Sequence, residues 1–253
     1  MDLKGKTIAV TGAARGIGRA LSEQFAACGA QLALIDLEAE SLQDTRRACQ
    51  GLGAQARAYG ASVASESQLL ETFDRIVADF GRFDGIVNNA GILQDALLVK
   101  AREGEVTGKM SLAQWQAVID VNLTGVFLCG REAAERMIKL GNGGVIINVS
   151  SISRAGNVGQ SNYAAAKAGV ATLVVVWARE LARFGIRVGG IAPGFTHTPI
   201  LDSMKPEMLA KITAPVPVGR LGRPEEIAHA ARFIFENDFF TGRIIELDGG
   251  LRL

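Results

Sequence analysis

Cysteine and histidine are scarce. The three cysteines, Cys28, Cys49 and Cys129, are scattered with no CxxC pair, and the two histidines, His197 and His229, lie far from one another in the sequence. That argues against a Cys/His zinc site, and an odd, dispersed cysteine set argues against a disulfide framework, so a reducing compartment is expected. Charge of one sign is also lacking: 27 Lys and Arg against 26 Asp and Glu leave a formal net charge of +1. No global electrostatic attraction to nucleic acid or anionic membrane follows. No uninterrupted apolar run has membrane length, and residues 1–6 (MDLKGK) read into a strand rather than as a signal peptide, so the expected location is cytoplasmic. Internal repeats, low-complexity stretches and Pro/Gly-rich linkers are missing as well. The expectation is one domain over 1–253, with a cofactor half at roughly 1–110 and a catalytic and substrate half at roughly 111–253. A chain of 253 residues, 48% hydrophobic and 21% charged, can bury a large core unaided.

What is present is an alternation of short β-rich runs with longer helical ones. Strands are expected at 6–11, 32–36, 54–59, 83–87, 144–149, 186–191 and 243–247. Helices are expected at 16–28, 38–52, 66–80, 112–139, 161–184 and 224–235, with Gly125 and Gly130 weakening the fourth. This rhythm predicts an α/β fold, a Rossmann-type doubly wound parallel sheet of about seven strands with helices on both faces. Two stretches fall outside it. Residues 92–110 (ILQDALLVKAREGEVTGKM) read as a loop with a charged middle, and 193–223 as a long proline-bearing coil. Loops of that length in a compact domain are functional or mobile.

The segment TGAARGIG at 11–18 follows the first strand and opens the first helix. Glycines there permit a tight turn and close approach of a pyrophosphate, and the helix N-terminus offers N–H donors. Gly12, Gly16 and Gly18, with Arg15 and Ile17 between them, are therefore candidate cofactor contacts. Asp36 ends the second strand, 24 residues after Gly12. A carboxylate there accepts hydrogen bonds from adenosine ribose hydroxyls and repels a 2′-phosphate; the alternative is an N-cap for the helix starting near Glu38. Arg15 pulls the other way, as a cation able to meet that phosphate or as a solvated surface residue. On balance NAD is favoured over NADP. NNAG at 88–91 closes the fourth strand and suits either a cofactor-bordering strand end or a plain turn.

Tyr163 and Lys167, in YAAAK, stand four residues apart on one helical face. A fixed ammonium lowers the pKa of a neighbouring phenol, which an unperturbed tyrosine needs if it is to act as acid/base near neutrality. Alone, the pair reads more readily as ordinary helix surface. Ser150, 13 residues earlier at a strand's carboxyl end, stands where a hydroxyl can bond a substrate oxygen and stabilise developing charge; Ser151 and Ser153 share the stretch.

TGAARGIG, NNAG, Asn122 in VNLTG, the Ser150 region, YAAAK and PGFTHT at 193–198 occur in order along the whole chain. In this the sequence resembles the short-chain dehydrogenase/reductase family in its branch of about 250 residues. GNVGQSNYAAAKAG, VNLTGVF and TGRIIELDGG are closest to the 3-oxoacyl-acyl-carrier-protein reductase-like subgroup. The resemblance implies a catalytic tetrad of Asn122, Ser150, Tyr163 and Lys167. In it Tyr163 is the acid/base and Ser150 orients the substrate carbonyl. Lys167 also bonds the nicotinamide ribose, and Asn122 holds a water that links Lys167 to solvent. It further implies that Asn89, Ala90 and Gly91 border the adenosine ribose, that Pro193, Gly194, Thr196 and Thr198 border the nicotinamide, and that the protein is a homotetramer or homodimer. An acidic residue usual after the third strand is Ser62 here, followed by Val63, so the adenine contact departs from the family pattern.

The expected activity is hydride transfer between a nicotinamide cofactor and a secondary alcohol or ketone. An NADPH-dependent 3-oxoacyl thioester reductase is the alternative, and a non-catalytic nucleotide-sensing scaffold a third reading that the intact tetrad disfavours. Residues 199–209 (PILDSMKPEML) space Ile200, Leu201, Met204, Met208 and Leu209 like an apolar lid or a peripheral packing helix. A lid would favour a small-molecule substrate with an apolar portion. Lys100 and Arg102 could meet an anionic one.

Overall fold

The computed structural model describes residues 1–198 and 206–252. Aliphatic and β-branched runs form the strands. β1 (Thr7–Thr11), β2 (Gln31–Asp36), β3 (Ala56–Gly60), β4 (Gly85–Asn88), β7 (Gly144–Val149), β8 (Ile186–Pro193) and β9 (Arg243–Leu247) make one sheet in the order β3-β2-β1-β4-β7-β8-β9. Every pairing in it is parallel. A second, antiparallel pair, β5 (Val99–Arg102) and β6 (Glu105–Lys109), stands apart.

Because successive strand residues face opposite sides, each strand supplies two layers. Ile8, Val10, Leu32, Leu34, Val145 and Ile147 pack under α1 (Gly16–Ala27) and α8 (Pro224–Glu236). Ala9, Ile35, Ile86, Ile146 and Val188 pack under α3 (Glu66–Phe80), α5 (Gly125–Leu140) and α6 (Ser161–Glu180). The doubly wound α/β expectation stands. β1 has β2 on one side and β4 on the other, so strand order reverses there, and a ligand crevice forms outside the carboxyl ends of the strands at such a switch.

Three local differences have physical reasons. The helix expected at 38–52 is a 3₁₀ turn (Ala39–Leu42) followed by α2 (Gln43–Gly51). The helix at 112–139 is continuous. α4 (Leu112–Ile119) passes through a π turn (Asp120–Thr124) into α5, and Gly130 does not weaken it. A Cβ at Gly130 would lie 2.5 Å from the Trp177 ring, so glycine is what lets α5 approach α6. Lastly, the loop at 92–110 contains the β5–β6 hairpin. Glu103 (φ 54°) and Gly104 (φ 86°) both take the left-handed region that a two-residue hairpin turn of primed type needs. Each strand has too few alternating residues to stand out from a charged loop. α7 (Pro206–Thr213) lies in the coil expected at 193–223. Of the lid residues, Ile200, Leu201 and Met204 lie outside the described residues. Met208 is exposed and Leu209 half-buried.

Candidate active site

The glycine turn is shaped by backbone geometry. Gly12 (φ 66°) and Gly16 (φ 55°) have left-handed conformations, and a Cβ at Gly18 would lie 1.9 Å from the Gly12 carbonyl oxygen. The NNAG segment clasps this turn. Asn89 Nδ2 donates to the carbonyls of Thr11 (3.0 Å) and Gly12 (3.2 Å), while Thr11 Oγ1 accepts the N–H groups of Asn89 and Ala90, both at 3.0 Å. The Asn89 amide is therefore spent on the turn. Asn88 pairs across the sheet with Asn148, its Nδ2 donating to Oδ1 at 2.8 Å.

Asp36 is not a helix cap, a place taken by Glu38. Its Oδ2 accepts the Ala14 N–H at 3.0 Å and its Oδ1 the Leu37 N–H at 2.8 Å, which fixes the carboxylate beside the glycine turn. Gly12, Arg15, Gly16, Ile17 and Asp36 line one cleft of about 510 Å³. Ser62, Val63, Asn89, Ala90, Gly91 and Thr198 complete its polar and small-residue lining. Leu37, Ala61, Ile92 and Val121 line it too and were not picked out from the sequence, since nothing in an isolated aliphatic side chain marks a ligand wall. The first turn of α1 carries no acidic residue to compete for its N–H donors. A glycine cradle, a free helix N-terminus and a fixed carboxylate together fit a dinucleotide. Gly18 supports the turn rather than lining the cleft. Gly194 packs on Asp248, where a Cβ would come within 2.7 Å, and buried Thr196 donates to the Gly194 carbonyl at 3.2 Å. With Pro193, the last residue of β8, they form the strand end leading to Thr198.

Asn122 lies in the π turn, a device common at functional sites. It is fully buried, and its side chain grips the Ile92 backbone: Oδ1 accepts from N at 2.8 Å and Nδ2 donates to O at 2.9 Å. This fixes the end of the Gly91–Ile92 segment.

Tyr163 sits in the first turn of α6 with Lys167 one turn later, its Nζ 5.6 Å from the Tyr163 ring centre. Lys167 is buried and donates from Nζ to the Val149 carbonyl at 2.8 Å; burial pushes its titration down to about 8. Burial likewise pushes the Tyr163 phenol up from its ordinary value; a hydrogen bond with Ser151 acts against the rise, and the Asp95 carboxylate adds to it. In the chain by itself, burial therefore favours the protonated phenol.

The two serines divide in a way that spacing did not foresee. Ser150 still continues the β7 ladder, its N–H bonding the Ile191 carbonyl at 2.7 Å. It therefore shares the face of Ile146 and Asn148, underneath α6, where its Oγ donates to the Lys167 carbonyl at 2.8 Å. Ser151, one residue on, leaves the sheet, begins a 3₁₀ turn (Ile152–Ala155) and is the hydroxyl that meets the phenol. Spacing pointed to Ser150 as the substrate-facing hydroxyl, whereas in the structure its Oγ is engaged by the Lys167 carbonyl. The pleat turns Ser150 inward and Ser151 toward Tyr163.

Comparison with known proteins gives the family. The family profile described as Enoyl-(Acyl carrier protein) reductase matches residues 12–252. A 3-oxoacyl-(acyl-carrier-protein) reductase of Thermotoga maritima is 41% identical, over 99% of both chains. A (3R)-3-hydroxyacyl-CoA dehydrogenase of Rattus norvegicus is 38% identical over 99% of this chain and 98% of its own. A short-chain type dehydrogenase/reductase from Mycobacterium marinum superposes with a TM-score of 0.89 at 33% identity, covering 98% of this chain and 96% of that one. Among the described residues no helix is long and apolar enough to cross a membrane, and no cluster of metal-ligating side chains occurs. The chain belongs to the short-chain dehydrogenase/reductase family, nicotinamide-dependent oxidoreductases that interconvert hydroxyl and keto groups.

Proposed function

We propose an NAD(H)-linked oxidoreductase acting on a secondary alcohol or ketone with an apolar portion, in which Tyr163 moves the hydroxyl proton. What supports this reading is the neighbourhood of Tyr163, Ser151 and Lys167, together with a cleft that the glycine turn and Asp36 line. A bound nicotinamide supplies or accepts the hydride. In reduction Tyr163 donates its proton to the carbonyl oxygen while Ser151 hydrogen-bonds that oxygen, and Lys167 stabilises the phenolate left behind. Asn122 acts by holding the Ile92 backbone at the cleft wall. Exposed Leu93, Leu97 and Leu98, in the segment between the cleft and the hairpin, supply apolar surface for the substrate.

Asp36 supports NAD(H) over NADP(H), because its carboxylate is held by two backbone N–H groups and cannot turn away from a 2′-phosphate. With either cofactor as the sole variable, kcat/KM is expected to favour NADH. Asp36→Ala should cost NADH roughly 10- to 100-fold, the loss of one or two charge-assisted hydrogen bonds, while leaving NADPH unharmed or improved. A wild-type preference for NADPH would reject this assignment.

A second reading, reduction of 3-oxoacyl thioesters, is favoured by the Thermotoga maritima and Rattus norvegicus relatives. A cis-4-hydroxycyclohexanecarboxylate dehydrogenase of Sinomonas cyclohexanicum, also 41% identical, favours a cyclic secondary alcohol. Acetoacetyl thioesters, simple ketones and cyclic hydroxy acids assayed side by side separate these.

The same proposal includes a homotetramer, or a homodimer, formed through α5 and α6. A hollow of about 540 Å³ on their outer face is lined by Phe127, Ile138, Trp177 and Leu181. Phe127 and Ile138 are exposed there, an apolar surface of the kind that marks association. Sedimentation equilibrium is expected to give four, or two, times the 26.7 kDa chain mass, and Phe127→Glu to lower it. A monomer at micromolar concentration would reject the assembly.

A further inference from the structure

The residue before Tyr163 is Asn162, which is fully buried. Its Nδ2 donates to two carbonyls, Gln94 at 3.0 Å and Gln114 at 3.1 Å, and its Oδ1 accepts the Tyr163 N–H at 2.8 Å. Both amide hydrogens and the amide oxygen are therefore engaged. The three partners belong to three different places in the chain. Gln94 is on the leg that leaves the cleft toward β5. Gln114 is in the first turn of α4, just after β6, in a helix start fixed by the Ser111–Gln114 capping box. Tyr163 is in the first turn of α6, which receives no side-chain cap from Gln160.

Both legs of the hairpin segment thus converge on one side chain. The legs are tied to each other by the Met110 N–H, which bonds the Leu97 carbonyl at 3.1 Å. The outgoing leg is tied again to the loop before α6: the Ala96 N–H bonds the Gly159 carbonyl at 2.9 Å, and Gln160 Nε2 donates to Asp95 Oδ2 at 3.0 Å. Asn162 holds two separate elements and the backbone of the residue read as acid/base.

We propose that Asn162 is a positioning residue: it sets the place of the Tyr163 phenol relative to the substrate wall by tying the first turn of α6 to both legs of the β5–β6 segment. The proposal rests on the assignment of Tyr163 as the acid/base. Without the amide, two carbonyls and one N–H lose their partner, and the turn is free to shift against the wall. A misplacement of about 1 Å at a reacting group costs about 100-fold in rate.

The chain contains only two tyrosines, Tyr59 and Tyr163, so tyrosine labelled with ¹³C at Cζ gives two resonances. Tyr59 donates to Asp79 at 2.7 Å on the far side of α3, and burial pushes its titration up, so its signal is an internal control of folding. Asn162→Ala is expected to lower kcat about 100-fold and to leave NADH affinity within about twofold, measured by nicotinamide fluorescence. It should move or broaden the Tyr163 resonance and leave that of Tyr59 in place. Asn162→Asp keeps an acceptor for the Tyr163 N–H but loses both donors, and it should match the alanine variant. Three results would overturn the proposal: kcat within threefold of wild type, a kcat loss with an unmoved Tyr163 resonance, or displacement of both resonances together. Near-wild-type turnover of Asn162→Asp would also overturn it, because the ties to Gln94 and Gln114 would then be idle. Tyr163→Phe run in parallel separates the two assignments. If it abolishes turnover while Asn162→Ala does not, only the positioning role fails; if it retains turnover, the Tyr163 assignment itself fails.

Discussion

Tyr163→Phe is expected to leave cofactor affinity within about twofold and to lower turnover by about 10²- to 10⁴-fold, the range for a lost general acid or base. The ring still fills its place in the first turn of α6, so packing and the cleft that holds Asp36 stay as they are. What disappears is the only phenolic proton beside Ser151 and Lys167. The wild-type pH profile follows from the same pair. Lys167 titrates near 8 because it is buried, and the Tyr163 phenol lies above its ordinary value for the same reason. Below about 8 both protons are present, the phenol can donate and the ammonium can receive the phenolate, so reductive kcat/KM should be flat. Above it the ammonium is lost and reductive kcat/KM should fall as pH rises. Oxidation needs the pair to have given up one proton, so its kcat/KM should rise through the same region. The two groups are close enough for that midpoint to belong to the pair rather than to either residue. Parallel initial-rate profiles in both directions check this, and a reductive rate that climbs from pH 7 to 9 would contradict it.

Ser151→Ala is expected to lower turnover by about 10²- to 10³-fold, the usual cost of removing one donor aimed at a developing oxyanion. Ser150→Ala should keep turnover within a few-fold and cost about 1 kcal/mol of stability, for a buried hydrogen bond to the Lys167 carbonyl. The contrast between adjacent residues is the informative part, since both variants remove a hydroxyl from the same stretch. Steady-state kinetics and thermal unfolding of the pair measure it. If Ser150→Ala is the inactive variant and Ser151→Ala the active one, the pleat-based assignment is wrong.

Much of the site was legible before the fold was known, and the Ser150/Ser151 exchange shows where legibility ends. The glycine turn, Asp36 and the Tyr163–Lys167 pair are each carried by a local rule: a strand–turn–helix junction, a strand end, an i, i+4 helical face. Each lies at a position that its own strand, turn or helix defines, so spacing encodes it. The interval between Ser150 or Ser151 and Tyr163 is different. It crosses a 3₁₀ turn and the loop at 156–160, which have no fixed period, so a count of 13 has no geometric force. Which serine faces the phenol is decided by strand parity. Asn89 shows the same limit: it lines the cleft, but its amide donates to Thr11 and Gly12, 78 and 77 residues away, which no local spacing records.

The residue pattern by itself determined the doubly wound sheet, the nucleotide end and the acid/base pair, because hydrophobic periodicity and helix-terminus chemistry act over a few residues. Only the tertiary structure decided that Ser151 and not Ser150 meets the phenol, that Asn122 grips Ile92, and that Asn162 gathers Gln94, Gln114 and Tyr163. Tyr163 adjoins Asn162, but the other groups that Asn122 and Asn162 hold come from 30 to 68 positions away. A buried amide is satisfied by whichever carbonyls the packing presents, and no periodicity along the chain records which those are.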